Sequence, residues 1–362
     1  MNKIKVKIKN ISYNIFIGKE IFQSLREKLN GHSYDRVAVV VSSRVYELHR
    51  KYIDESIGGL DYGLYVMEDS EENKNYSFAE QFFEQFLKNG LTRKSAVIAI
   101  GGGVVGDFAG YLAAIYMRGI PVIHVPTTLL AMVDSSIGGK VAVNCSVGKN
   151  ILGAFHQPGM VISDITFLET LPHKEFKNGM SEILKHGLLG EKKTLGILED
   201  NDNYESIKQN KILLELIYQS ALFKSTVVEK DEKEKGLRAI LNLGHTIGHA
   251  IESFQKFKNI SHGEAVSMGI IAEMDISRKL GWISSEEYER VGGIIKKLDL
   301  IDSEIDASPT EIIDHMKYDK KKSDDTVKFA LLKSIFKPVF NQVVDDNILE
   351  EVLSGIFGNN KL

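Results

Sequence analysis

An α/β nucleotide-binding domain followed by an all-helical domain is the fold class this sequence predicts. Three observations carry it. Short, continuous β-branched runs recur through the first half: "RVAVVVSS" (36–43), "GLYVME" (63–68), "SAVIAIG" (95–101), "PVIHVP" (121–126) and "GMVISD" (159–164). Helical stretches separate several of them. Beyond about residue 165 such runs stop and helical apolar periodicity takes over. Apolar strands alternating with helices read as a mostly parallel sheet with helices on both faces. The domains are therefore drawn as 1–165 and 166–362.

Taken in order, "KIKVKIKNISYNIFIG" (3–18) alternates with period two, as a hairpin or edge strands do. "SFAEQFFEQFLKNG" (77–90) is an amphipathic helix closing on a glycine C-cap. "AVIAIGGGVVGDFAGYLAAIYMRG" (96–119) runs from a strand through glycines into a helix of small residues. Gly101, Gly103 and Gly106 satisfy G-x-G-x-x-G, a turn that lets a dinucleotide phosphate approach the backbone. The ordinary fingerprint also needs an acid about 20 residues on to hold the ribose. Here the next apolar run ends in Pro126-Thr127-Thr128, and Asp107 directly follows the last glycine. "VDSSIGGKVAVNCSVGKNILGAFHQP" (133–158) sets Lys140 and Lys149 after glycines, which reads as recognition of an anionic ligand. The P-loop register is not met. The helical half contains "MSEILKHGLL", "KILLELIYQSALFKSTVVEKDE", "HGEAVSMGIIAEMDISRKLG" and "SSEEYERVGGIIKKLDL". A cleft between two such domains is a common ligand site.

Composition narrows the class. The chain has 362 residues, 43% hydrophobic and 26% charged, with net charge −4. That balance does not indicate a nucleic-acid partner. The single cysteine, Cys145, excludes an internal disulfide and a cysteine-based zinc site. "MNKIKVKIKN" is not a signal peptide, and no apolar run nears the ~20 residues of a membrane span. A cytoplasmic protein is expected.

Three of the ten histidines cluster: His245, His249 and His262. His245 and His249, four apart, share a helix face. Spacing alone favours this pair as joint metal ligands with one carboxylate, from Glu182, Glu252 or Glu264. The bland alternative is capping and packing by half-buried imidazoles.

"GGGVVGDFAGYLAAIYMRG", "VPTTLLAMVDSSIGGKVAVN", "GKNILGAFHQP", "SEILKHG", "RAILNLGHTIGHAIE" and "SHGEAV", in that order, resemble the 3-dehydroquinate synthase family over nearly the whole chain. The resemblance implies that family's two-domain fold. It implies conversion of 3-deoxy-D-arabino-heptulosonate 7-phosphate, a small anionic sugar phosphate, to 3-dehydroquinate and phosphate. It also implies catalytic NAD, a divalent metal (zinc, or else cobalt) and a homodimer. The implied metal ligands are Glu182, His245 and His262, which moves His249 from ligand to proton relay. The implied NAD contacts are Glu71, Lys74, Gly103, Val104, Val105, Gly106, Asp107, Thr127, Thr128, Lys140, Lys149 and "FLET", that is Phe167, Leu168, Glu169 and Thr170. The implied catalytic set is His249, Lys185, Arg238, Asn242 and Lys224. Arg118, Asp134, Lys140, Asn150 and Lys320 (or Lys321) would bind substrate. The sequence departs from the family pattern at Ser42 and Ser43, where an aspartate is usual, and at Ser70, where a glycine is usual. Rival readings are an inosose- or valiolone-type sugar-phosphate cyclase, a metal-dependent polyol dehydrogenase and a non-catalytic NAD-binding module.

Overall fold

A computed structural model describes residues 1–201, 203–256, 258–320 and 326–357, with only the backbone of 318–320. The chain divides into two compact units, Met1–Phe176 with Lys224–Glu232, and Lys177–Phe223 with Lys233–Leu362.

The first unit is built on β1 (Asn2–Ile8), β2 (Ile11–Gly18), β3 (Val37–Ser42), β4 (Tyr62–Met67), β5 (Ala96–Gly101), β6 (Val122–Pro126) and β9 (Met160–Asp164). They form one seven-stranded sheet in the order β1-β2-β9-β6-β5-β3-β4. Only the β1–β2 pair is antiparallel. β3, β5, β6 and β9 are buried along their whole length, which is why their sequences are apolar without alternation. β1 instead alternates, with Lys3, Lys5 and Lys7 outward, and so charges an exposed sheet edge.

The helices of this unit are α1 (Leu25–Leu29), α2 (Ser43–Ile57), α3 (Tyr76–Lys88) and α4 (Gly103–Ile115). Phe82, Phe86 and Phe108 fill a core with Val97 and Ala99. Phe22, Leu25, Ile53 and Phe167 fill a second core with Val39, Ile98 and Val125. The lysine–glycine stretch is an antiparallel hairpin, β7 (Lys140–Cys145) and β8 (Gly148–Phe155). It seats against α4 at Gly110, where a Cβ would lie 2.3 Å from Val141 Cγ1.

The second unit takes in most of α5 (His173–Leu189), then α6 (Lys192–Asp200), α7 (Tyr204–Ile207) and the first part of α8 (Asn210–Lys230). α9 (His245–Phe254), α10 (His262–Lys279), α11 (Ser285–Lys297), α12 (Pro309–Lys320) and α13 (Asp346–Phe357) follow. It is not all-helical. β10 (Phe329–Leu332) and β11 (Pro338–Gln342) pair antiparallel. The four residues of β10 are all buried, and an apolar run that short carries no period to identify it.

α9 and α10 approach closely because glycine lines their contact. A Cβ on Gly269 would lie 1.9 Å from the Gly244 carbonyl oxygen, and one on Gly248 would lie 3.0 Å from that of Ala265. Gly244 itself has φ +79°, a left-handed conformation that suits glycine. The Glu273 carboxylate accepts the Gly244 N–H at 2.5 Å and fixes the turn that starts α9. This packing brings the three histidines together. Among the described residues no helix is long and apolar enough to cross a membrane.

Candidate active site

In the second unit, α5 carries Glu182 and Lys185, α9 carries His245, His249 and Glu252, and His262 opens α10. Ligand atoms of Glu182, His245 and His262 all lie within 4.8 Å of one another. Nε2 of His245 and Nε2 of His262 each stand 3.6 Å from the same oxygen, Glu182 Oε1. That oxygen is fully buried and receives no hydrogen bond. A buried carboxylate oxygen facing two imidazole nitrogens is a donor set that fits a divalent ion such as zinc or cobalt. The outer nitrogens are also engaged: His245 Nδ1 meets the Leu243 carbonyl at 3.1 Å, and His262 Nδ1 meets Glu252 Oε2 at 3.3 Å.

The electrostatics are strongly coupled. Burial alone would raise the Glu182 carboxyl, but the paired Lys185 ammonium and the two imidazoles hold it well below the usual range. Burial and Lys185 push His245 well below its ordinary value. Burial would lower His262 as well, but Glu182 and Glu252 hold it up at about 10.

The spacing-based pair of His245 and His249 does not form the tight set. Exposed His249 instead shares a second cluster with Glu252 and His262, whose ligand atoms also lie within 4.8 Å of one another. Glu264 is absent from the clusters of possible ligands among the described residues, and its Oε1 accepts the backbone N–H groups of Asp302 (2.8 Å) and Ser303. Buried Arg238 and half-buried Asn242 lie on the short helical segment Leu237–Asn242, and Asn242 donates to Glu234 Oε1 at 3.1 Å. The side chain of Lys320, and all of Lys321, lie outside the described residues.

In the first unit the expected cofactor residues gather at the C-terminal edge of the sheet. Glu71 and Lys74 follow β4, Gly103–Asp107 follow β5, Thr127 and Thr128 follow β6, and Phe167–Thr170 follow β9. The chain leaves β3 toward β4 on one side and returns as β5 on the other. The glycine turn thus sits at a topological switch point, where open α/β sheets bind ligands. A Cβ on Gly101 would lie 2.6 Å from Val105 Cβ, and one on Gly102 would lie 3.0 Å from Thr128 Cγ2. Gly102, the N-cap of α4, offers no side-chain cap to the first N–H groups of the helix, an end of the kind that suits an anion.

Lys74, 3% exposed, bonds Asp107 Oδ2 and Asn150 Oδ1, each at 2.6 Å. Burial pushes the Asp107 carboxyl up, and Lys74 opposes it. Asn144, which the sequence did not single out, joins the group. It donates to Glu71 Oε1 at 2.7 Å and accepts the Asn150 N–H at 2.8 Å. Lys224 donates to Asp134 Oδ1 at 2.5 Å and to the Asp134 carbonyl at 2.8 Å. Lys140 and Lys149 are exposed on the hairpin. Arg118 is exposed on a left-handed turn, φ 71°. Phe167 and Leu168 are buried, Glu169 pairs with Lys19 at 2.8 Å, and Thr170 Oγ1 meets His49 Nε2 at 2.7 Å. Ser42, at the departure from the family aspartate, caps α2 by accepting the Val45 N–H at 3.2 Å. Ser70 accepts the Asn73 N–H in a turn.

With this geometry in hand, comparison with known proteins is specific. Residues 64–178 match the family model for the 3-dehydroquinate synthase N-terminal domain, and residues 179–322 match that for its C-terminal domain. The chain is 37% identical to a 3-dehydroquinate synthase of Thermodesulfovibrio yellowstonii, over 98% of this chain and 100% of that one. It is 39% identical to the enzyme of that name from Thermoanaerobacter pseudethanolicus, over 97% and 99%. A crystal structure of 2-deoxy-scyllo-inosose synthase complexed with carbaglucose-6-phosphate, NAD+ and Co2+ superposes with TM-score 0.90 at 28% identity. It covers 98% of this chain and 100% of that one. The matching family models, the full-length relatives and the fold agree: this chain belongs to the 3-dehydroquinate synthase family.

Proposed function

We propose that this chain is the phosphate-eliminating lyase of its family, converting 3-deoxy-D-arabino-heptulosonate 7-phosphate to 3-dehydroquinate and phosphate. The observation that carries the reading is the orphaned Glu182 oxygen facing two imidazole nitrogens, in a chain 37–40% identical to 3-dehydroquinate synthases. Glu182, His245 and His262 would hold the divalent metal. The glycine turn with Asp107, Thr127, Thr128, Glu71 and Lys74 would hold NAD. When bound, NAD supplies reversible hydride transfer at a ring hydroxyl, and the metal supplies Lewis-acid polarisation of that oxygen.

The chain's own groups do the rest. Lys185, 1% exposed beside Glu182, keeps a fixed cation in a dry site, suited to hydrogen-bonding an oxygen as it gains negative charge. His249, exposed one turn after His245, suits proton relay near neutral pH. Arg118, Lys140, Lys224 and Arg238 are the cations this reading assigns to the substrate's carboxylate and phosphate. Asp134 and Asn150, each held by a lysine, would orient hydroxyl groups. Because the chemistry that NAD would supply is reversible, no net NADH would be expected.

A cytoplasmic homodimer is part of this reading. The β7–β8 hairpin supports it by exposing Val147, Ile151, Leu152 and Phe155, an apolar surface of the kind that marks association sites. The high TM-score to an inosose synthase keeps a second sugar phosphate as the competing substrate, although identity there is lower.

The decisive measurement is phosphate release from the heptulosonate phosphate, with zinc or cobalt and NAD far below substrate concentration. Many turnovers per NAD are expected, and 3-dehydroquinate as product. No phosphate from this substrate, or turnover only of a hexose phosphate, would end the assignment. His262→Ala should lose both bound zinc and turnover, and an active variant would refute the ligand set.

A further inference from the structure

The sequence left Glu252 as a third candidate for the ligand carboxylate, and the proposed reaction gives it no task. From the geometry we infer that Glu252 is a positioning residue for the metal site: it orients His262 and does not itself ligate the ion. This rests on the metal reading above.

Glu252 lies seven residues after His245 and three after His249, so one face of α9 presents all three. Its Oε2 approaches Nδ1 of His262 at 3.3 Å, while Nε2 of the same ring points to Glu182 Oε1. The two ring nitrogens point in divergent directions, and the bond made by one fixes which form the other presents. A carboxylate on Nδ1 therefore cannot share the ion held at Nε2. It instead keeps the ring proton on Nδ1 and the ring plane turned so that Nε2 offers a lone pair. His245 meets the same need differently, through the Leu243 carbonyl on its own chain. His262 is the first residue of α10, so its ring depends on a partner from another helix, and Glu252 is that partner. Both residues are mostly buried, with side chains 14% and 31% exposed, so water competes weakly for the bond.

The test is zinc affinity of the full chain, by competition with a chelator, for wild type, E252A and E252Q. NAD binding and circular dichroism serve as controls for folding. E252A should weaken zinc about 10–100-fold. E252Q should recover most of that loss, because its amide oxygen still accepts the Nδ1 proton and a neutral amide is a poor zinc ligand. Unchanged affinity in E252A overturns the inference. So does E252Q as weak as E252A, which would make Glu252 a ligand acting through its charge. A wild-type chain that binds no zinc is a different failure, that of the metal reading itself.

Discussion

At the scale of single residues, ionisable side chains sit where burial dominates their chemistry. His124, in the middle of β6, is 5% exposed and faces the glycine turn: a Cβ on Gly106 would lie 3.7 Å from its Nδ1. Burial, with His156 nearby, lowers it from 6.5 to about 4. Between those two values the unfolded chain binds a proton that the folded chain refuses. Stability therefore falls as pH drops through that window and is insensitive to this group above it, by up to about 3 kcal/mol. His124→Gln should flatten the loss between pH 6.5 and 4.5, measured by urea unfolding at both values. An unchanged pH slope would show that His124 is not the group responsible. The residue scale is also where sequence reading was strongest. Glu182, His245 and His262 were named from motifs and stand together. Spacing alone preferred His249 over His262, because helical periodicity registers neighbours on one helix and is blind to a residue arriving from another.

At the scale of elements, the metal-site geometry depends on how closely α9 and α10 pack. Gly269 is the tightest point, with a Cβ position 1.9 Å from the Gly244 oxygen. Gly269→Ala should force the Gly244 turn outward and cost about 1–3 kcal/mol in stability. Zinc affinity should fall with it, since the turn delivers His245. Thermal unfolding and chelator competition on the same preparation check both, and a variant equal to wild type in each would mean that α10 shifts without disturbing the turn. The β-strands of the sheet were legible because parallel strands buried on both faces have an apolar sequence signature. The β7–β8 hairpin was not. Its strands carry lysines, asparagines and glycines, and β8 is largely exposed, so neither alternation nor apolar continuity marked it. β10 and β11 escaped for the opposite reason: they are too short to show any period.

At the scale of the whole molecule, the exposed hairpin bears on assembly. Ile151 is 50% exposed on β8, whose outer edge is unpaired among the described residues, and Val147, in the turn before it, is 70% exposed. Apolar residues along an open edge favour pairing with another chain. The double variant V147K/I151K should shift a dimer to monomer in light scattering at micromolar concentration. A wild-type chain that is monomeric at all concentrations would remove the homodimer from the proposed function.

The sequence by itself determined the class of fold and the family, and its motifs named candidate residues for both sites. Those are properties of composition, local period and motif order, all carried along the chain. Tertiary structure alone decided which carboxylate faces the histidines and what the others do. Glu264 is spent on the 302–303 backbone, Glu252 on His262 Nδ1, and Glu182 is left with a bare oxygen. It alone showed that Lys74, Asp107, Asn144 and Asn150 form one hydrogen-bonded network, centred on buried Lys74 and drawn from three separate segments. The physical reason is common to both: a carboxylate or an ammonium takes its role from what lies within about 3 Å, and those neighbours come from residues far apart in sequence.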